Sequence, residues 1–324
     1  MMILTVIFLI AAGTFLFYGL PDSVSGKYDG FIIKTAVAGF PAGKEKQIAV
    51  IPVHGVIQYG NPYSSGGTDP ELFSAMLEKA EADPGIAAVI ISIDSPGGEV
   101  NAADEIYRRI LSFKERTKLP VYALMRSVAA SGGYYVAAAC DKIFAGEMTL
   151  TGSIGVIISS YNFTDLLDLV GISAEVYKSG KMKDMLNPAR ERTAEEAKIV
   201  QELVGECYDV FARIVAESRK LPLSAVKSSP IGDGRVYHGR KALEYGLVDH
   251  LGFLPDVVAF CEKTAGAEKG SFSVVQYEFN ISFLNLLFSA ESPVLRGINV
   301  KLPLPESQSA VLKPGRLYYL PGGM

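Results

Sequence analysis

Apolar residues along the first half of the chain fall into strand-like runs, each followed by helical spacing. Runs rich in β-branched residues at positions 48–57, 86–93 and 121–125 predict strands that are buried on both faces. An amphipathic or apolar helix is predicted after each run, and the first begins with Asp69 as a cap and Pro70 in the first turn. This alternation predicts an α/β fold with a largely parallel sheet.

Weaker patterns continue the alternation toward the carboxyl end. Thr193 and Glu196 have the spacing of a capping box and predict the start of the longest helix. Asn162 is predicted to cap a shorter helix. Short strands are predicted at residues 142–145, 155–158, 174–178 and 272–279.

The amino terminus has the pattern of a membrane anchor. Residues 1–20 carry no charged side chain, and a helix of that length reaches about 30 Å, the thickness of a bilayer core. An uncleaved anchor is favoured over a removed signal peptide, because no basic residue precedes the segment and the small residues at 36–38 lie far behind it. Lysines that follow the anchor favour a cytoplasmic body, although nearby acidic residues weaken that count.

The remaining chain divides by composition. Residues 21–46 contain prolines, glycines and mixed charge and are interpreted as a tether. Residues 47–265 carry the α/β pattern and are predicted to form the main domain. Residues 266–324 change in character and form a tail, which we interpret as an assembly element, a membrane-surface segment, or a strand and loops packed on the main domain.

Composition excludes several classes of function. The chain has 31 basic and 35 acidic residues, a net charge of −4 and no basic run, so a nucleic-acid partner is not expected. The cysteines Cys140, Cys207 and Cys261 are too widely spaced for a zinc site or a disulfide framework. We therefore expect neither a metal nor a cofactor.

Two glycine-rich turns stand where α/β folds place their sites, after predicted strands. The turn at residues 94–98 is suited to binding a phosphate, stabilising an oxyanion, or simply joining a strand to a helix. In the second turn, Ser131 lies between alanines and glycines, so that its Oγ is uncrowded and the Gly132 N–H can face the same point. Ser131 is therefore a candidate nucleophile, with a helix cap as the alternative.

A serine nucleophile needs a base. The chain has three histidines; His54 lies in a predicted strand, His250 follows a Leu-Val-Asp segment, and His238 in a turn stays a candidate. A lysine base is the other possibility, and bringing its pKa from about 10.4 to about 7.5 takes roughly 4 kcal/mol of desolvation.

Three lysines follow the strand predicted at residues 174–178. They are Lys178, Lys181 and Lys183, and the residues alone do not choose among them or exclude that all three are solvated. Ser153, in a Thr-Gly-Ser-Ile-Gly segment, offers a hydroxyl that could orient an uncharged amine, or else belongs to a tight turn.

Taken in order, these segments resemble the signal peptide peptidase A family of Ser/Lys serine proteases, in its short membrane-anchored form. The similarity runs from about residue 47 to about residue 265. The five motifs that carry it are residues 94–99, 130–135, 151–155, 179–184, and 233–237 with 246–249.

The resemblance assigns roles to individual residues. Ser131 corresponds to the nucleophile, Lys183 to the general base and Ser153 to the hydroxyl that positions its amine. The backbone N–H groups of Gly98 and Gly132 correspond to the oxyanion hole. The other two lysines match no catalytic position.

The resemblance also implies a fold, partners and a location. The fold is the crotonase-like, Clp-protease-like spiral of ββα units, and the chains assemble into rings or domes in which neighbouring subunits complete the sites. The substrates are remnant signal peptides and other unfolded polypeptides. The resemblance implies a single-pass protein of the cell membrane whose catalytic domain is extracytoplasmic. The lysines that follow the anchor favour the opposite orientation.

Two other functions are compatible with this sequence. A crotonase-like acyl-CoA enzyme would use a glycine oxyanion hole without needing Ser131. A non-enzymatic membrane scaffold would keep the fold and lose the activity.

Overall fold

A computed structural model describes residue 28 and residues 31–60, 66–280 and 318–319. The predicted anchor at residues 1–20 lies outside these ranges. Within them, no helix has both the length and the apolar character needed to cross a bilayer.

The described residues form a mixed α/β structure around one sheet of ten strands. The strands are β1 (Ile32–Ala36), β2 (Gln47–Ile57), β3 (Ile86–Glu99), β4 (Val121–Ala130), β5 (Lys142–Ala145), β6 (Leu150–Gly152), β7 (Val236–His238), β8 (His250–Leu251), β9 (Ser273–Phe279) and β10 (Tyr318–Tyr319). Their order is β1-β9-β2-β3-β4-β5-β8, while β6 pairs with β4 and β7, and β10 pairs with β3. The pairings from β9 through β2, β3, β4 and β5 to β8 are parallel, as the sequence predicts.

The helices cover the sheet between these strands. They are α1 (Pro70–Glu81), α2 (Val100–Thr117), α3 (Gly132–Ala137), α4 (Thr164–Leu169), α5 (Ala194–Arg219), α6 (Leu223–Lys227), α7 (Gly239–Glu244) and α8 (Leu254–Thr264), with a 3-10 turn at Pro230–Gly232. The predicted caps are confirmed at two of them: Asp69 accepts hydrogen bonds from the first turn of α1, and Thr193 and Glu196 form the capping box of α5.

The core is divided between the two faces of the sheet. In β2, Ala49, Ile51 and Val53 pack on one face together with α1, α2, α3 and α5, whereas Ile48 and Val50 pack on the other face with α8. The strands are therefore buried on both faces, which explains why their sequences are continuously apolar rather than alternating.

Two predicted strands are wrong. Residues 155–158 contribute only one isolated bridge residue, because the strand in this region is β6, five residues earlier. Residues 174–178 have no regular structure and are exposed. A strand needs a neighbour to take up its N–H and C=O groups, and no described strand lies beside this segment.

The segments that flank the main domain also contribute strands. β1 lies within the predicted tether and β9 within the predicted tail, where it confirms the strand expected at residues 272–279. The two strands pair antiparallel with each other, and β9 pairs in parallel with β2. The domain boundaries stay predictions.

Candidate active site

Three segments meet at the carboxyl ends of β3, β4 and β6. Ser95 pairs with Ala129 between β3 and β4, and Ala130 pairs with Gly152 between β4 and β6. Residues 95–98 at the end of β3, the Ser131 turn and the Ser153 turn therefore lie side by side at one edge of the sheet. This is the edge at which parallel α/β sheets bind ligands.

Ser131 has a strained backbone. Its φ is 53° and its ψ is −115°, a conformation that residues other than glycine rarely adopt. Two hydrogen bonds hold it there: the Ser131 N–H donates to the Gly152 carbonyl at 2.8 Å, and the Ser131 carbonyl accepts from the Tyr135 N–H at 2.9 Å. Strain that the surrounding structure enforces in this way is typical of functional positions.

The Ser131 hydroxyl is buried without a partner. The residue is 0% exposed, and its Oγ makes no hydrogen bond to any described residue. A buried hydroxyl left unpaired costs about 1–3 kcal/mol. The alternative of a helix cap is also excluded, because the Ser131 side chain makes no capping hydrogen bond to α3. A partner from outside the described chain is the natural explanation for this hydroxyl.

Close backbone approaches allow only glycine at two positions of these segments, Gly98 and Gly133. A Cβ at Gly98 would lie 1.8 Å from the Ile57 carbonyl oxygen, and a Cβ at Gly133 would lie 2.8 Å from the Ser95 carbonyl oxygen. The second approach brings the start of α3 directly against the last residues of β3, which continues through the turn predicted at residues 94–98 and ends at Glu99. The two glycine-rich segments singled out in the sequence are thus in contact, although the first forms the end of a strand and not the predicted turn.

Ser95 holds the turn in place. Its buried Oγ donates to the Gly55 carbonyl of β2 at 2.6 Å and accepts from the Gly97 N–H at 3.1 Å. The turn is thereby tied to the neighbouring strand. The roles of the Gly98 and Gly132 N–H groups as an oxyanion hole stay predictions.

Ser153 lies next to Ser131 on the adjacent strand end. It too has a positive φ, 50°, and it is buried. Its N–H donates to the Arg235 carbonyl at 2.8 Å, just beyond the antiparallel pairing of β6 with β7. One chain therefore brings together Ser131, Ser153 and both glycine turns.

The structure separates the three candidate lysines by their partners. Lys178 forms an ion pair with Asp184 at 2.6 Å, and Lys181 forms one with Glu195 at 2.7 Å. Among the described residues the Lys183 amine has no hydrogen bond and no ion pair. Because a carboxylate partner favours the protonated amine, a paired lysine is a poor general base. Lys183 is the lysine of the three that keeps its amine available.

The same chain does not bring Lys183 to Ser131. Lys183 is exposed in a loop without regular structure, whereas the Ser131 Oγ is fully buried and unpaired. The site is therefore assembled on the serine side only.

The histidines make other contacts. His238 is exposed, with its Nδ1 3.3 Å from the Met148 carbonyl oxygen, and the ring of His250 packs 4.8 Å from that of Phe144. His54 is exposed on β2. None of the three hydrogen-bonds with the Ser131 Oγ, so within one chain neither a histidine nor Lys183 contacts this hydroxyl.

Sequence reasoning missed an ionic network beside Lys183. Arg190 lies between Asp184 and Glu196 and forms hydrogen bonds with both carboxylates. The Arg190 guanidinium, followed by the backbone N–H of Thr193, lowers the pKa of Glu196 to about 2. Arg190 and then Lys178 hold the pKa of Asp184 far below its usual range. Charged residues spaced six apart form no recognised motif, so the sequence offered no signal.

No metal site is evident in the ranges that the structure describes, where no three His, Cys, Asp or Glu side chains are grouped to hold an ion. All three cysteines are free thiols.

Comparison with known proteins decides the family. The model of peptidase family S49 matches residues 113–268. The chain is 38% identical over 229 residues to the putative protease slr0021 of Synechocystis sp. (strain ATCC 27184 / PCC 6803 / Kazusa), a match that covers 71% of this chain and 78% of that protein. The chain belongs to peptidase family S49.

Other relatives of this S49 protein are also known. It is 39% identical over 221 residues to the putative signal peptide peptidase SppA of Enterococcus faecium, a match that covers 67% of this chain and 63% of the relative's length. The resemblance drawn from the motifs is thereby confirmed at the level of the family. Among solved structures, the ClpP1 N165D mutant from Listeria monocytogenes aligns with a TM-score of 0.43 and 18% identity, over 64% of this chain and 92% of that one.

Proposed function

We propose that this S49 protein is a membrane-anchored serine endopeptidase that hydrolyses remnant signal peptides and other unfolded polypeptides through a Ser/Lys dyad. The observation that carries the proposal is the Ser131 hydroxyl, which is buried, unpaired and held on a strained backbone between two glycine turns. Such a hydroxyl has the surroundings of a nucleophile that awaits a base and a substrate.

The mechanism follows from the assigned roles. Neutral Lys183 takes the proton of Ser131 as Oγ attacks the peptide carbonyl, while Ser153 orients the amine. The N–H groups of Gly98 and Gly132 stabilise the oxyanion, an interaction worth about 3 kcal/mol or more per donor. Protonated Lys183 then passes its proton to the leaving amine, and water hydrolyses the acyl-enzyme.

A neighbouring copy of the chain supplies Lys183 in this proposal. Among the described residues of one chain, Lys183 is exposed and the Ser131 Oγ has no partner, so an oligomer of ring or dome form would satisfy both groups at once. Large apolar side chains are exposed between residues 161 and 177, and Tyr177 is 92% exposed. Apolar surface of this kind on one segment is typical of an interface.

The remaining expectations complete the proposal. Residues 1–20 anchor the chain in the cell membrane as a single pass, with the catalytic domain on the extracytoplasmic side. The described α/β layers belong to a crotonase-like and Clp-like spiral of ββα units. The buried parallel sheet with its sites at the carboxyl ends of the strands supports this arrangement.

The full-length chain in detergent micelles and its Ser131→Ala variant test the proposal. Hydrolysis of a signal peptide and of casein should fall by as much as about 10⁶-fold in the variant, because nucleophile and base act as a unit. A serine-reactive phosphonate should label Ser131 in the wild type. Ser159→Ala, at an exposed serine in the neighbouring loop, should retain wild-type turnover.

Two outcomes would contradict the proposal. Unchanged turnover in Ser131→Ala together with binding of CoA would favour an acyl-CoA enzyme. Absence of both peptide hydrolysis and phosphonate labelling in the wild-type chain would favour a scaffold.

A further inference from the structure

We propose that Arg190 is a positioning residue, which fixes the backbone that carries Lys183 by joining Asp184 to Glu196 at the start of α5. We call these three side chains the Arg190 bridge. The inference rests on the proposed function, since it deepens the role of Lys183 as the base.

One end of the Arg190 bridge holds the residue that follows Lys183. The Arg190 Nε donates to Asp184 Oδ2 at 2.8 Å, and Nη2 donates to Asp184 Oδ1 at 2.8 Å and to the Asp184 carbonyl at 3.1 Å. The guanidinium therefore contacts both the side chain and the main chain of Asp184. A planar fork of donors fixes orientation as well as distance, which a single ammonium group cannot do.

The other end of the Arg190 bridge is Glu196, in the first turn of the longest helix, α5. Glu196 is only 2% exposed, accepts from Arg190 Nη1 at 3.0 Å, and pairs with Nη2 as well. The same carboxylate accepts from the Thr193 N–H at 2.9 Å and so closes the capping box of α5. Farther along α5, Phe211 and Val215 are fully buried in the core. The bridge thus connects an exposed loop to a rigid part of the fold.

Further hydrogen bonds fix the loop around Lys183 itself. Lys178 donates to Asp184 Oδ1 at 2.6 Å, the same oxygen that accepts from Arg190 Nη2. The Lys183 N–H donates to the Gly180 carbonyl at 3.1 Å, and the Asn187 N–H donates to the Asp184 carbonyl at 3.1 Å. Residues 171–193 include neither a strand nor a helix, and most are exposed, so burial of apolar surface contributes little to holding the loop. Charged hydrogen bonds are the main restraint.

A neighbouring ion pair shows what distinguishes the bridge. Lys181 and Glu195 also join this loop to α5, but their side chains are 72% and 57% exposed and share a single contact. Exposed single pairs contribute little, since solvent competes for both groups. The Arg190 side chain is 29% exposed and makes several hydrogen bonds. Lys181 with Glu195 therefore provides a matched control.

Accurate placement matters because proton transfer requires the base within hydrogen-bonding distance of the nucleophile. A displacement of about 1 Å in a catalytic group can cost about 100-fold in rate. Lys183 has to reach a serine outside its own loop. A shift of its backbone therefore displaces the Nζ atom from the position that proton transfer requires.

The first test compares steady-state kinetics of full-length variants. Arg190→Met should lower kcat by about 100-fold with KM little changed, because the base moves while the peptide contacts remain. Arg190→Lys keeps the charge without the fork and should recover only part of the loss. Glu196→Gln keeps an oxygen that can cap α5 but loses the ionised partner of Arg190, so its kcat should fall markedly while its Tm falls only modestly. Lys181→Met should retain wild-type kcat.

The second test measures the loop without using activity. Hydrogen exchange at the amides of Lys183 and Asn187 should quicken in Arg190→Met and stay unchanged in Lys181→Met. Active Lys183→Met enzyme would refute the proposed function, and the exchange data would still report on the bridge.

Other results would overturn the bridge itself. One such result is that Lys183→Met is inactive, whereas Arg190→Met keeps both the kcat and the amide hydrogen exchange of the wild type. The other is faster exchange throughout the core in Arg190→Met, Arg190→Lys and Glu196→Gln alike, which would assign these residues a purely structural role.

Discussion

The serine side and the lysine side of the candidate site are built in different ways. Ser131 lies at the junction of three strands, is fully buried, and is held by backbone hydrogen bonds and by contacts that only glycine permits. Lys183 lies in an exposed loop that ionic contacts tie to α5. Sheet pairing fixes the proposed nucleophile, whereas ionic contacts fix the loop that carries the proposed base.

This difference indicates which half depends on assembly. The serine side requires only the folding of one chain, because its supports are parts of the central sheet. The lysine side presents its amine to solvent and has no described partner for it. We therefore expect a nucleophile that is always formed and a base whose placement depends on a neighbouring copy.

The largest effect should come from mixing inactive variants. Ser131→Ala and Lys183→Met should each be inactive alone, since each lacks one member of the dyad. If the base comes from a neighbour, subunits exchanged at a one-to-one ratio should recover about a quarter of wild-type activity, because each site then combines residues of two chains. Turnover of a signal peptide after mixing and re-equilibration in detergent measures this.

Two controls sharpen the mixing experiment. The first is Lys181→Met, which should be active alone. The second is the pH dependence of wild-type turnover, which should rise from acidic to mildly alkaline pH because only a neutral amine can accept the serine proton. No recovery from a mixture shown to contain both variants in one oligomer would place Ser131 and Lys183 in the same chain. A rate that is flat with pH would argue against a lysine base.

The serine side could be predicted from the sequence far better than the lysine side. The strand runs and the turns at Gly98 and Ser131 are local patterns, and sheet pairing brings them together automatically. The strand predicted at residues 174–178 is wrong, because these residues are exposed and pair with no strand among the described residues. Arg190 was missed because its partners are defined by loop geometry rather than by sequence spacing.

An intermediate effect should follow from loosening the serine side. Ser95→Ala removes a donor to the part-buried Gly55 carbonyl and an acceptor for the buried Gly97 N–H. We expect a loss of about 1–3 kcal/mol in the free energy of unfolding, measured by urea denaturation, and a lower kcat because the turn beside Ser131 relaxes.

The matched control for Ser95→Ala lies on the same strand. Ser92 is half-buried in β3, and its side chain makes no hydrogen bond to the described residues. Ser92→Ala should therefore leave both stability and kcat near wild type. Equal losses in the two variants would show that β3 tolerates no truncation, and would remove the special role of the Ser95 hydroxyl.

The smallest effect should be the change in unfolding free energy at low pH that comes from Glu196 in the Arg190 bridge. Arg190 lowers the pKa of Glu196 to about 2, below the ordinary value for a glutamate of about 4.3. The ionised carboxylate therefore stabilises the folded state at pH values above about 4.3. This contribution is lost as the pH falls toward 2. Wild type should thus lose more unfolding free energy than Glu196→Gln between about pH 6 and pH 3. Arg190→Met should lose less as well, since the cause of the shift is gone. Parallel urea-denaturation curves for wild type and both variants would mean that the Arg190 bridge contributes nothing to folding.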